Sequence, residues 1–322
     1  MTTVFNVLDY GADPTGTTSS HVAFQNAIDA AKAIALGAGY SFGNTRCGTV
    51  IVPKGIYTGI ESLDCTECVG LTIKGEGSWG STVYADGQSV SLPVFDCTQS
   101  NYVIIENLSI FAMSPSGMPP TVWPQCGVLF SAGIVNSSNK NKISDSNIIG
   151  WFNLAALGVL NSTNNNFYSS VFYTYNLNAP AIYVGKNNSL GFSSGYTSIT
   201  ATPQVANENA FFGCEIHNSK QGDPACNTIW LDGAQTYQMF GGIVDGSGSG
   251  QPVVYLQNDC RKILFTGVKF YNESAYRPLY LFYNDSYVSE FVCSGSWKDY
   301  SGAVTTQFGP GSWGSNIQLN GI

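Results

Sequence analysis

Acid–base chemistry needs carboxylates or imidazoles in company, and this chain of 322 residues is sparing with both, holding 21 Asp and Glu and two His. The densest stretch of candidates is 213–245, with Glu215 and His217 in "GCEIHN", Asp223 in "GDPAC", Asp232 in "WLDG" and Asp245 in "IVDG". Glu215 and His217 stand two apart, so on a strand both project from the same side. Hydrolysis of a glycosidic bond asks for two carboxylates, one protonated and one ionised. Glu215 and Asp245 are read as that acid/base pair, with His217 or Asp232 assisting. Asp232 and Asp245 each precede a glycine, a context that equally suits a turn. Glu106 in "IIENLSI" and Asp145 in "KISDSNI" fit a solvated ladder better than a catalytic pair. Elimination from a uronate would instead need a base and a cation, for which Arg261, Lys262, Lys269 and Arg277 are among the few basic residues of the later part of the chain. Tyr237, Lys269, Tyr271 and Arg277 are the expected substrate contacts.

The elements that must position these residues are short and repetitive. "GIVNSSNKNKISDSNIIGW", "GVLNSTNNNFYSSVFYTY", "TIWLDGAQTYQMFGGIVDG", "VVYLQNDCRKILFTGVKFYN" and "LYLFYNDSYVSEFVCSGSW" share one plan: a short apolar strand, a polar turn, a second strand, a small residue and an apolar continuation. Val135, Leu160, Val184, Leu231, Leu256 and Phe282 take equivalent places, separated by 25, 24, 47, 25 and 26 residues, with the 47 read as two turns. A fixed period of this size means a stacked solenoid. Strands of a few residues with several turns per period suit a parallel β-helix, each coil lying roughly 4.8 Å from the last. On adjacent coils Glu215 and Asp245 would be neighbours, with His217 beside them. Near the start, "HVAFQNAIDAAKAIAL" (21–36) sets Phe24, Ile28, Ala31 and Ala35 on one helical stripe, with Ser19 or Ser20 as cap and Gly37 and Gly39 as stop. A solenoid end exposes unpaired strand edges and core, and this helix is expected to plug it. The chain reads as one domain: cap strand and helix in 1–45, coils in 46–300, and a C-terminal cap or tail in 301–322.

Composition narrows the partners. The formal net charge is −8 with only 13 Lys and Arg, which argues against nucleic acid or an anionic membrane surface. No run approaches the roughly 20 apolar residues of a membrane span, so no membrane insertion is expected. "MTTVFNV" has neither the basic start nor the apolar run of a signal peptide, pointing to a processed secreted product or to delivery on a virion. Charged residues are 11% and aromatics 13%, a surface of hydroxyls, amides and rings that suits neutral glycans. Among nine cysteines, Cys65 and Cys68 form the only close pair. Zinc would need two further ligands that no second Cys-x-x-Cys or His pair supplies, leaving a local disulfide or buried thiols. No metal or cofactor is expected.

The opening "FNVLDYGADPTGTTSSHVAFQNAIDAA", followed by "GTVIVPKGIY" and "IKGEG", resembles the N-terminal signature of the pectate-lyase-like β-helix superfamily, between residues 5 and 77. The branch includes phage tailspikes, rhamnogalacturonase-like proteins, certain glucanases and alginate epimerase modules. One departure is "TTSSH", where acidic residues usually precede the helix. The resemblance implies an all-β, right-handed parallel β-helix with an N-terminal capping helix, a homotrimer or part of a larger virion or surface assembly, and action on polysaccharide. It does not fix the reaction. The epimerases' Asp-Pro-His-Glu signature is absent, the nearest string "GDPAC" lacking both His and Glu. The expected function is therefore an extracellular or virion-associated polysaccharide depolymerase, a glycosidase or a lyase. The alternative is a non-catalytic spike, fibre or capsid-decoration protein on the same scaffold.

Overall fold

The computed structural model describes residues 3–36, 46–133, 138–199, 206–218, 226–246, 251–272, 280–295, 297–300, 306–308 and 312–320. Among the described residues the strands form three large sheets of eleven, ten and nine strands and one small pair, Ser138–Asn139 with Ser162–Thr163, and neighbouring strands in each run parallel. Each coil contributes one strand to each large sheet: Asn166–Tyr168 to face A, Val171–Thr174 to face B and Ile182–Gly185 to face C. The next coil repeats the order with Asn209–Phe212, Glu215–His217 and Ile229–Asp232. This is a parallel β-helix. Thr306–Phe308 and Ser312–Asn320 pair with faces C and A, so laddering continues past residue 300.

The corner between faces A and B explains how strands so short keep their register. Asn107, Asp145, Ser169, Gly213, Gly241, Gly267 and Gly295 occupy equivalent places there, all with φ between +46° and +66°. A single left-handed residue turns the chain sharply, and Asn, Asp and Gly tolerate that conformation best. The strand after each corner then alternates strictly. Val83, Ile110, Ile148, Phe172, Ile216, Val244 and Phe270 stand in register on face B and all point into a fully buried column.

Face C corrects two expectations. Its inner column is Phe130, Val159, Val184, Leu231 and Leu256. Leu160 is one residue out of phase and packs outside with Leu129 and Tyr183, while Phe282 aligns with Val254; Val135 lies outside the described residues. The 47-residue interval is one coil, not two, because Val184 pairs directly with Leu231. The extra length follows Gly185 as a strap that runs back over face C. Phe192 packs on the outer cluster with Leu129 and Leu160, the Gly195 N–H donates to Asp96 (3.1 Å) and the Tyr196 hydroxyl donates to the Ser62 carbonyl (2.6 Å). The strap covers the outer side of face C.

The helix His21–Leu36 buries Phe24, Ala27, Ile28, Ala31 and Ala35 against the first coils, with the Phe24 ring edge-on to Tyr57 at 5.2 Å. Ser20 is the residue whose carbonyl accepts the first helical bond, from the Phe24 N–H. The departure "TTSSH" has a structural role: the N–H and hydroxyl groups of Thr15, Thr17 and Thr18 all donate to the Asp13 carboxylate. All nine cysteines are buried and unbridged. Cys65 and Cys68 do not face each other; the Cys65 thiol pairs with Cys97 and the Cys68 thiol with Cys47, so the local disulfide is replaced by buried thiols.

Candidate functional site

Gly213 makes the A–B corner and Cys214 tucks its buried thiol inward, so the next strand starts with Glu215 facing out. Ile216 fills the core and His217 faces out again. One coil on, Gly241 and Gly242 make the same corner, Val244 points in and Asp245 falls in register with His217. The three side chains meet. His217 Nε2 lies 3.3 Å from Glu215 Oε2, and His217 Nδ1 lies 3.3 Å from Asp245 Oδ2.

Exposure separates their roles. The Glu215 side chain is 49% exposed and that of His217 15%, whereas Asp245 is 1% exposed. An outside molecule therefore reaches Glu215 and the edge of the imidazole, and Asp245 only through the imidazole. A neutral imidazole donates from one nitrogen and accepts at the other, while a protonated one donates to both carboxylates. The imidazole thus links an open carboxylate to a covered one. Tyr173, in register one coil before, packs its ring 5.8 Å from the His217 ring. Tyr271 follows Asp245 in register, and Lys269 Nζ sits 4.5 Å from the Tyr271 ring centroid.

Five of the expected residues, Glu215, His217, Asp245, Lys269 and Tyr271, share the outer side of face B. Two do not join them. Asp232 lies on face C, fully buried, accepting from the Tyr183 hydroxyl (2.5 Å), Asn187 Nδ2 (3.1 Å) and Asn258 Nδ2 (2.6 Å). Burial first, and the Asp232 charge second, push the Tyr183 hydroxyl well above the usual range, so it stays the donor in this network. Tyr237 points inward, wholly buried between Phe211 (5.2 Å) and Phe265 (5.5 Å), beyond the reach of any external ligand. Arg277 and Asp223 lie outside the described residues. Glu106 is engaged by Lys74 at 3.0 Å on face A, and Asp145 is a left-handed corner residue, so these two do not converge. Among the described residues, no three His, Cys, Asp or Glu side chains are arranged to hold a metal ion. Sequence reasoning had no means to single out Tyr173 from the other aromatics; the signal is its fourth place after the corner residue Ser169, the place His217 holds after Gly213.

Residues 4–116 match the family described as rhamnogalacturonase A/epimerase, pectate lyase-like. No curated protein matches the chain. Among solved structures it is similar to ORF18 of Geobacillus virus E2, with 14% identity and a TM-score of 0.63 over 96% of this chain and 60% of that one. The chain thus spans 60% of the viral protein's length. It is also similar to PfbA, a surface protein and adhesin of Streptococcus pneumoniae, with 13% identity, 99% of each chain covered and a TM-score of 0.47. An alginate lyase from Paenibacillus sp. str. FPU-7 matches with 12% identity over 91% of this chain and 95% of that one, TM-score 0.45. Likeness at these identities is a likeness of fold. By its coil architecture the chain is a parallel β-helix, and its residues 4–116 are similar to the rhamnogalacturonase A/epimerase, pectate lyase-like family.

Proposed function

We propose that this protein binds a polysaccharide on face B and hydrolyses it at Glu215 and His217. The observation that carries this reading is the chain of contacts from exposed Glu215 through His217 to buried Asp245. Glu215, protonated, gives its proton to the glycosidic oxygen as the bond from the anomeric carbon to that oxygen breaks. A water molecule attacks the opposite face of the anomeric carbon and gives its proton up to solvent, while His217, in contact with Glu215 through Nε2, takes a proton from solvent and returns it to the Glu215 carboxylate. Asp245, accepting from Nδ1, holds the ring in the required tautomer and balances the charge that His217 gains, the role a buried carboxylate plays behind a histidine base. Asp245 is thus a positioning residue, and the second acid/base role moves from it to His217. Lys269 and Tyr271 flank the site on its far side as substrate contacts.

The likeness of fold to a viral protein supports an extracellular or virion location, and a homotrimer or a larger surface assembly is proposed with it. The same likeness favours a second reading, a non-catalytic fibre that binds glycan without cutting it. Reducing-end release from a panel of neutral polysaccharides tests the first. Wild-type protein should release oligosaccharides, and Glu215→Gln should lower the rate at least about a hundredfold while its melting temperature stays within error. Equal activity of the two proteins would remove Glu215 from the mechanism; binding with no cleavage by wild type would favour the fibre.

A further inference from the structure

Face B changes character along its length. Its first six strands, from Thr15–Ser19 to Val171–Thr174, contain no Asp, Glu, Lys or Arg. Over the same coils, face A carries Lys74, Glu106 and Lys142, and face C carries Asp64 and Asp96. In place of charge, the outer side of face B carries rings. Trp79 is 72% exposed and lies 5.9 Å from Phe111, which Tyr84 meets at 5.4 Å. The coil of Ile149 comes next, in register between Phe111 and Tyr173. Trp151 then meets Tyr175 at 4.7 Å, Tyr175 meets Tyr173 at 4.6 Å, and Tyr173 packs on His217. Trp79 stands exposed at the head of the row and Tyr84, Trp151, Tyr173 and Tyr175 are half-buried, while Phe111 is buried against Trp79 and Tyr84.

We infer that Trp79, Tyr84, Trp151, Tyr173 and Tyr175 form a lengthwise track for an uncharged glycan chain, braced from below by the buried Phe111, with the Glu215–His217 site beyond one end. This rests on the hydrolytic reading above and adds to it the class of substrate and the direction in which it lies. The C–H faces of a pyranose pack on aromatic rings, and the tyrosine hydroxyls supply polar tips for sugar hydroxyls. Rings placed by register follow one another at the coil spacing, roughly 4.8 Å, and an extended glycan advances by a similar step per sugar. The chain therefore runs parallel to the prism axis. A polyuronate lying along the first six strands would set a row of carboxylates against strands that carry no Lys or Arg, with Lys269 only at the far end beyond the site. Because face B continues past the site to Tyr271, the bond cut is internal and the products are oligosaccharides.

The test is calorimetric binding to Glu215→Gln protein, in which the probe is not consumed. The probes are cellohexaose, mannohexaose, maltohexaose and xylohexaose, the disaccharide of each, and hexamers of galacturonate and mannuronate. At least one neutral hexamer should bind, its disaccharide should bind at least roughly tenfold more weakly, and the uronate hexamers should not bind. Adding Trp151→Ala or Trp79→Ala should weaken the neutral hexamer roughly tenfold, with melting temperatures unchanged for the exposed Trp79 site. The track is overturned if both tryptophan variants bind as tightly as their parent, if only uronates bind, or if no hexamer binds. The last result, joined to tighter self-association of wild type than of Trp79→Ala, would assign the rings to a protein interface. Failure of the hydrolytic reading has a different signature: hexamer binding that depends on Trp151 but no cleavage by wild-type protein.

Discussion

His217 is gripped from two coils, by Glu215 on its own strand and by Asp245 on the next. Asp245→Asn keeps the volume of the buried group but lets it donate where it should accept. If Asp245 positions the imidazole, this variant should lose about a hundredfold or more in kcat with little change in KM, measured on the polysaccharide that wild type cleaves best. A comparable rise in KM instead would make Asp245 a binding group. At the other end of the molecule, Asp13 accepts from three threonines, and their hydrogen bonds hold its carboxyl well below the ordinary value of 3.8. A carboxylate depressed on folding stabilises the fold above its unfolded pKa, and that contribution fades as pH falls through the folded one. Asp13→Asn should therefore melt at a lower temperature than wild type at pH 7, with the gap closing as the pH drops below about 4; a gap independent of pH would contradict the cage. The trio on face B was legible in the sequence because Glu-Ile-His and Ile-Val-Asp show their alternation openly. Tyr237 was not, since one residue of phase decides whether a strand side chain faces core or solvent, and "TYQMF" fits both phases.

At the scale of the element, the A–B corner sets where each face B strand begins, and its glycines are not alike. At Gly213, with φ +61°, a Cβ would meet nothing within 4 Å, and Asn, Asp or Ser holds this place in earlier coils. At Gly242 a Cβ would sit 2.1 Å from the Cys214 carbonyl oxygen. Gly213→Asn should therefore fold and act nearly as wild type, while Gly242→Ala should cost about 1–3 kcal/mol in denaturant unfolding and lower activity as well, because it pushes the Asp245 strand away from Glu215. Equal stability of the two variants would mean the corner is not set by this contact. The same corners explain what periodicity revealed and hid. The coil length was plain wherever Asn, Asp or Gly marked the turn. It misled at the 47-residue interval, where the strap after Gly185 imitates a coil in length but pairs with no sheet as one. Asp232 looked like a site residue for the same reason, since nothing in "WLDG" tells that Asn187 from the strap and Asn258 from the next coil will enclose it.

For the whole molecule, the three faces are put to different uses. The helix His21–Leu36 closes one end of the prism over Phe24 and Ile28, and the strap closes face C over Leu129, Leu160 and Tyr183. Face B keeps its outer side for rings and, further along, for the Glu215–His217–Asp245 trio. The capping helix and the stacked coils could be read directly, because helical stripe and coil period are local patterns. Alignment across coils could be read for Glu215, His217 and Asp245, which sit on consecutive coils, but not across the insertion after Gly185, because alignment depends on every intervening corner and insertion. The central claim, that face B carries the glycan past the trio, is tested most directly by diffraction from crystals of the Glu215→Gln protein grown with the neutral hexasaccharide that binds best. The account predicts sugar rings stacked on Tyr173 and Trp151, parallel to the prism axis, with a glycosidic oxygen within hydrogen-bonding distance of residue 215. Sugar bound on face A or across the strap, with face B empty, would contradict it.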